Sequence, residues 1–394
     1  MQNIVIDKPY VFVPPYQGRL WPAFLQLFIR RRLDRLCGIT EIECRGLDHL
    51  RASLAARHGI LLAPNHCRAY SDPFVVGELA RQAGTLPFTI ASWHLFMQGR
   101  VQAWFLRRGG AFSIYREGMD RAAINAAVDV LAAAQRPLVL FPEGVVTRTN
   151  DRLSPLLEGT SFIARTAAKK RANATPAGQV VIHPVALRYT FHGDIARAVG
   201  PTLDELEHRL SWLPQRQLPL LERIYKLANA LVGLKEIEYL DAFQTGNIYE
   251  RLKRLIDHML GPIEREWVKG KSDGSVVVRV KKLRAAILPE MIQGEITEDE
   301  RQRRWRQLAT MYLAQQLWYY PPDYLTSETQ TDRLLETVER FEEDLTDKCR
   351  TYRPMKVVAT VGEAITVNPA RDRAAAEDPL MAAVEASLKT LLGI

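Results

Sequence analysis

The sequence predicts an α/β fold in which a mixed, mostly parallel sheet is flanked by helices. Short apolar runs alternate with amphipathic stretches of helical periodicity between residues 46 and 200, as expected for the strands and covering helices of one layered domain. The chain then becomes mainly helical and charged as far as residue 350. An amphipathic stretch precedes the core, and the helical stretch follows it. The predicted fold therefore also has an N-terminal amphipathic helix and a large helical insertion or C-terminal region.

These changes of pattern divide the chain into four predicted segments. Residues 1–45 are an N-terminal amphipathic segment that contacts a membrane, and residues 46–200 are the α/β core. Residues 201–350 are a helical insertion, and residues 351–394 supply closing strands and a C-terminal helix that return to the core. No internal repeat is predicted.

The first segment contains a predicted helix over Trp21–Leu36, with Pro22 in its first turn. Its apolar residues precede a cluster of arginines, Arg30, Arg31, Arg32 and Arg35. Aromatic and aliphatic side chains beside clustered cations are typical of a helix that lies in a membrane interface and meets anionic headgroups. The alternative interpretation is an ordinary amphipathic helix packed on the core.

The core contains five predicted strands, which alternate with predicted helices. The strands are Ile60–Ala63, Phe88–Ala91, Ala111–Tyr115, Pro137–Phe141 and Val180–Tyr189. The helices are Leu47–Arg57, Pro73–Gln82, Asp120–Ala134 and Gly159–Lys170. Since ligands bind beyond the carboxyl ends of parallel strands, functional residues are expected in the loops that follow these strands.

Beyond the core, a Thr-x-x-Glu capping box at Thr297 predicts a helix that runs to Tyr320, before two prolines. Lys356–Val367 predicts two short strands around Gly362. Pro379–Leu392 predicts a last helix. The insertion therefore separates the α/β core from its closing elements.

Composition narrows the classes of partner and compartment. A net charge of +8 suits an anionic partner such as nucleic acid, acidic lipid headgroups or phosphorylated metabolites, or is simply a solubilising surface. The four cysteines form no CxxC pair, which favours a reducing, cytoplasmic compartment. Neither a signal peptide nor a spanning helix is predicted, so the protein is expected either to be soluble or to lie on a membrane.

The most informative motif runs from Pro64 to Pro73. His66 follows a buried strand and Asp72 lies at a helix start, so the two can form a general-base dyad in which the carboxylate orients the imidazole. The alternative is structural: Asp72 caps the helix and Pro73 occupies its first turn.

Three further motifs follow other predicted strands. Glu143, Gly144 and Arg148 come after the Pro137–Phe141 strand, where a glycine admits a ligand close to the backbone and an arginine can hold phosphate. Arg116 follows the strand before it, and the last strand carries His183 next to a proline. The alternative for each is a buried strand that ends in a surface charge.

Taken in order, the four motifs between Asn65 and Val185 resemble the sequence blocks of the glycerolipid acyltransferase family, which includes lysophosphatidate acyltransferases. Thr360–Ile365 resembles the closing strand of that family. The resemblance covers roughly half of the chain and identifies residues 46–200 as an acyltransferase core. The ordered set is far more specific than any single motif.

The resemblance implies that a fatty acyl group passes from acyl-CoA or acyl-carrier protein, as co-substrate, to a hydroxyl of a lysophospholipid or glycerol phosphate. His66 is then the general base and Asp72 orients it, without a covalent intermediate, a metal or a bound cofactor. The residues implied in substrate binding are Asn65, Arg116, Glu143, Gly144 and Arg148.

This sequence departs from the family pattern at one point. Five residues separate His66 from Asp72 where the family has four, so Ser71 stands where the carboxylate is expected. We expect the loop to bulge by one residue and Asp72 still to reach His66. A Cys67 nucleophile is disfavoured, because neighbouring side chains point apart.

Two other functions stay open at this point: a catalytically silent lipid-binding protein on the same fold, and a transacylase with a phospholipid donor. The predicted partners are a lipid acceptor, an acyl thioester, an anionic membrane surface and a second copy of the chain, but not nucleic acid. The expected location is cytoplasmic, peripheral on the inner face of a membrane.

Overall fold

The computed structural model describes residues 5–270, 273–320, 322–326, 329–371 and 377–394. The chain divides into two compact units. The sheet unit comprises Val11–Tyr115, Asp120–Gly193 and Thr351–Ile394. The helical unit comprises the described residues up to Tyr10, together with Arg116–Met119 and Asp194–Arg350.

The sheet unit confirms the predicted α/β class. Its strands are β1 Ile39–Arg45, β2 Gly59–Pro64, β3 Phe88–Ser92, β4 Ala111–Ile114, β5 Leu138–Val139, β6 Val180–Phe191, β7 Met355–Val361 and β8 Ile365–Thr366. Its helices are α1 Leu20–Gln26, α2 Ile29–Cys37, α3 Leu47–Ala55, α4 Ser71–Gln82, α5 His94–Met97, α6 Arg100–Arg108, α7 Arg121–Ala133, α8 Gly159–Ala172 and, last in the chain, α15 Pro379–Leu392.

The strands form one mixed sheet in the order β1-β7-β6-β2-β5-β3-β4, with β8 paired to β6. Only the β6–β7 and β6–β8 pairs are antiparallel among the described strands. Every residue of β2 is buried, as expected for a central parallel strand covered on both faces. Since β2, β3, β4 and β5 run parallel, the loops after them emerge at one edge of the sheet.

The predicted N-terminal helix is wrong as a single element. It is broken between α1 and α2, where the Leu27 N–H donates to the Phe24 carbonyl at 3.2 Å and the Phe28 N–H to the Leu25 carbonyl at 3.2 Å. These tighter i to i−3 bonds turn the chain, so that Ile29 is buried while Leu27 is 71% exposed.

The helical unit consists of α9 Ile195–Arg209, α10 Leu220–Leu240, α11 Ile248–Val268, α12 Val276–Gln293, α13 Glu298–Trp318 and α14 Thr331–Thr346. The Thr297 hydroxyl accepts from the Glu300 N–H at 3.3 Å and so caps α13 as predicted. The Glu300 carboxylate pairs with Arg303 and Arg304. The first of the two prolines after Tyr320 lies outside the described residues.

A repeated buried ion pair links four successive helices of this unit, contrary to the prediction of no repeat. Each pair joins a glutamate on one helix to an arginine on the next, at 2.6–2.8 Å: Glu207–Arg223, Glu236–Arg251 and Glu264–Arg279. The arginines are 28 residues apart in the sequence. Because a buried charge without a partner is costly, these pairs fix the register of neighbouring helices.

Candidate active site

The loop after β2 is held to β6 by Asn65. Its buried side chain donates to the Leu187 carbonyl at 3.1 Å and accepts from the Leu187 N–H at 2.7 Å. The Asn65 side chain therefore bonds both the N–H and the carbonyl of Leu187, and this fixes the position of the backbone just before His66. Its predicted contact with substrate stays a prediction.

His66 and Asp72 are in direct contact despite the extra residue between them. The His66 Nδ1 lies 2.8 Å from the Asp72 Oδ2. The helix α4 begins at Ser71, two residues earlier than predicted, so Asp72 lies in its first turn and is not its N-cap. Its carboxylate turns back into the loop, where the Arg68 N–H donates to Oδ2 at 2.8 Å. The added residue thus lies at the start of α4, and it does not separate Asp72 from His66.

Asp72 is fully buried and has a third donor that the sequence motifs do not include. The Tyr189 hydroxyl, on β6, donates to the Asp72 Oδ1 at 2.6 Å. Burial and the Asp72 charge raise the pKa of Tyr189 well above its usual value, so this phenol keeps its proton. Three short hydrogen bonds, together with the Cys67 thiol at 3.9 Å from Oδ1, leave this carboxylate little rotational freedom.

The His66 ring is positioned from two sides. It stacks on Phe141, with 4.1 Å between ring centroids and 27° between the planes. With Nδ1 directed at Asp72, Nε2 is the nitrogen left for proton exchange with a ligand. The side chain keeps 15% of its surface exposed, so solvent reaches one part of the ring.

Glu143 supports the same loop from the β5 side. Its Oε1 accepts the His66 N–H at 2.6 Å and its Oε2 accepts the Ser154 N–H at 2.7 Å. Burial raises the pKa of Glu143 to about 8, although both N–H donors act in the opposite direction. Since both oxygens already accept backbone N–H groups, the observed contacts position His66, and the predicted contact of Glu143 with the acceptor stays a prediction.

Gly144 and Arg148 lie in the loop that Glu143 begins. Gly144 has a φ of +68°, and an added Cβ would lie 2.3 Å from the Leu157 side chain, so any other residue here would strain the backbone and displace Leu157. Arg148 also adopts a positive φ, of 56°, which is uncommon for a residue with a side chain. Thr147, between them, donates its N–H to the His66 carbonyl at 2.8 Å. Hydrogen bonds from the loop that contains Phe141–Gly144 therefore hold the His66 loop in place.

The two remaining motif residues have different surroundings. Arg116 follows β4 but belongs to the helical unit, and its predicted phosphate contact stays a prediction. His183 is buried in β6, with Nδ1 2.9 Å from the Gly362 carbonyl oxygen and Nε2 2.9 Å from the Ser53 hydroxyl. Burial lowers its pKa, which fits a neutral residue that ties β6 to α3 and to the turn after β7.

Among the described residues, no group of three or more histidine, cysteine, aspartate or glutamate side chains is placed to hold a metal ion. No helix in the described part of the chain has both the length and the apolarity needed to cross a bilayer.

Comparison with known proteins gives a match at the level of a family. The family model described as Acyltransferase matches residues 41–188, a span that includes the β2, β4 and β5 loops. No curated protein matches the sequence.

Proposed function

We propose that residues 41–188, which match the family model described as Acyltransferase, move a fatty acyl group from acyl-CoA or acyl-carrier protein to a hydroxyl of a lysophospholipid or glycerol phosphate. The observation that carries the proposal is the 2.8 Å contact between the His66 Nδ1 and Asp72. This contact leaves the His66 Nε2 as the ring nitrogen that can accept a proton. A catalytically silent protein on this fold gains no support, because the extra residue leaves that contact intact.

In the proposed reaction the acceptor hydroxyl gives its proton to the His66 Nε2 as its oxygen attacks the thioester carbonyl carbon. A carbon–oxygen bond forms, the carbon–sulfur bond breaks, and His66 returns the proton to the leaving thiolate. Asp72 stabilises the imidazolium between these two steps. Glu143 and Tyr189 act through their neighbours, the first on the His66 backbone and the second on the Asp72 carboxylate.

The proposal that the acceptor carries a phosphate rests on the arginines in the loops after β4 and β5. Arg116 and Arg148 are proposed to bind a phosphate of the acceptor, since a guanidinium can donate two parallel hydrogen bonds to it. The predicted contact of Gly144 with the acceptor gains no support, because the Leu157 side chain occupies the space beside its Cα. The net charge of +8 favours anionic substrates in the same way.

Membrane contact is proposed through an aromatic surface on α1 and α6, which we call the aromatic face. Trp21 and Trp104 meet at 4.9 Å between ring centroids, and Phe24 is 50% exposed. Val101 on α6 is 70% exposed, and no residue of that helix is buried. Residues 19–33 and 94–110 together carry seven arginines and no acidic residue, a charge that fits an anionic bilayer.

Co-sedimentation with vesicles tests this surface. The wild-type protein is expected to pellet with anionic vesicles and much less with zwitterionic ones, and Trp104→Ala is expected to weaken pelleting. Leu213→Ala is the matched control, because Leu213 is 81% exposed but lies in the helical unit. Equal pelleting of the two variants would rule out the aromatic face.

The catalytic proposal is tested with purified protein, acyl-CoA or acyl-carrier protein as donor, and a panel of lysolipids, glycerol phosphate and unphosphorylated glycerol. Transfer to a phosphorylated acceptor that requires the thioester is the expected result. Transfer from a phospholipid with the thioester omitted would make the protein a transacylase instead. Vesicle binding without transfer from any donor would leave a lipid-binding protein.

A further inference from the structure

Within the described part of the helical unit, Arg284 is a buried arginine without an ion-pair partner. Arg284, on α12, is 6% exposed, and its Nε and Nη2 atoms are buried with no hydrogen-bond partner among the described residues. A buried charge without a partner costs free energy, so proteins seldom keep one without a function.

Other arginines of the same unit show the contrast. Arg223, Arg251 and Arg279 are similarly buried, and each pairs with a carboxylate at 2.6–2.8 Å. Arg304, on α13, pairs with Glu290 and Glu300. The fold therefore supplies a carboxylate to these four arginines, whereas Arg284 has none within ion-pair distance in the described part of the chain.

The surroundings of Arg284 make an anion the fitting partner. Burial and the positive charge of Arg116 lower the pKa of Arg284 to about 10, and the Glu117 carboxylate opposes that shift less strongly. Arg284 therefore stays charged at neutral pH beside a second guanidinium. Tyr312 and Tyr319 also lie near it, and phenol hydroxyls are additional donors for a phosphate oxygen.

We propose that Arg284 and Arg116, which both lie in the helical unit, together bind a phosphate monoester. The site rests on the unpartnered, buried guanidinium of Arg284. Arg284 lies outside the residues that the family model matches.

Thermal unfolding of the full-length protein tests the site without any turnover. Inorganic phosphate and glycerol 3-phosphate are expected to raise the Tm of the wild-type protein by about 2–5 °C over chloride at equal ionic strength. Arg284→Met is expected to lose this shift and to keep its Tm without phosphate, because methionine removes an unpaired buried charge. Lys282→Met removes an exposed charge from the same helix and is expected to keep the shift.

Arg284→Lys provides a second variant if Arg284→Met does not fold. It keeps the charge but loses the planar fork, so a smaller shift than in the wild type is expected. A wild-type Tm that phosphate does not raise, or an equal rise in all variants, would overturn the site.

Discussion

Replacing Asp72 by asparagine tests how much of the rate depends on the buried carboxylate. The substitution keeps the size of the side chain and an oxygen that can accept from His66, but it removes the negative charge. Two opposite charges about 4 Å apart attract by about 4 kcal/mol at an effective dielectric constant of about 20. At about 1.4 kcal/mol for each factor of ten, the loss corresponds to a fall in kcat of about a thousandfold.

The assay compares kcat at saturating donor and acceptor, with circular dichroism as the check on folding. Tyr189→Phe is the matched control, because it removes one hydrogen bond to Asp72 at 2.6 Å and leaves the charge in place. Its kcat is expected to fall only severalfold, in line with about 1 kcal/mol for a hydrogen bond. A folded Asp72→Asn protein with kcat within threefold of the wild type would refute the reasoning.

Three further changes have distinct expected results. Arg116→Ala should raise the acceptor KM by about ten- to a hundredfold, as expected for a lost charged hydrogen bond, and an unchanged KM would count against its phosphate contact. Asn65→Ala should lower the free energy of unfolding by about 2 kcal/mol, because Leu187 loses partners for both backbone groups; urea unfolding with no shift in midpoint would contradict this. Since the pKa of Glu143 is raised from 4.5 to about 8 in the folded state, the wild-type Tm should fall as pH rises from about 5 to 8, and Glu143→Gln should lose that slope.

The sign for Glu143 follows from proton counting. Between those pH values the folded protein holds a proton on Glu143 that the unfolded chain has released, so higher pH favours unfolding. Glu158→Gln is the control, because Glu158 is an exposed carboxylate in the same region. A wild-type slope that Glu143→Gln leaves unchanged would assign the pH dependence to other groups.

The strongest apolar runs gave the most accurate sequence predictions. The bounds of α15 agree with prediction, and β2, β3 and β6 differ from it by a residue or two at their ends. A strand in the middle of a parallel sheet must be apolar on both faces, and this makes it conspicuous in a sequence. By contrast β1 was not predicted, because it is an edge strand with polar residues and little apolar alternation.

Contacts between distant residues could not be predicted in this way. Tyr189 and Asp72 are 117 residues apart, and only the pairing of β2 with β6 brings them together. The contact of Glu143 with the His66 N–H depends instead on the pairing of β2 with β5. The 28-residue spacing of Arg223, Arg251 and Arg279 was visible in the sequence, but charged residues are normally assigned to the surface, so buried pairs went unrecognised.

The rate of acyl transfer by His66→Ala, at saturating thioester and acceptor, tests the central claim most directly. If the imidazole removes the acceptor proton, kcat should fall at least a hundredfold while the folded protein keeps its affinity for acceptor. Turnover close to that of the wild type would show that another group activates the hydroxyl, and the dyad would then have only a structural role.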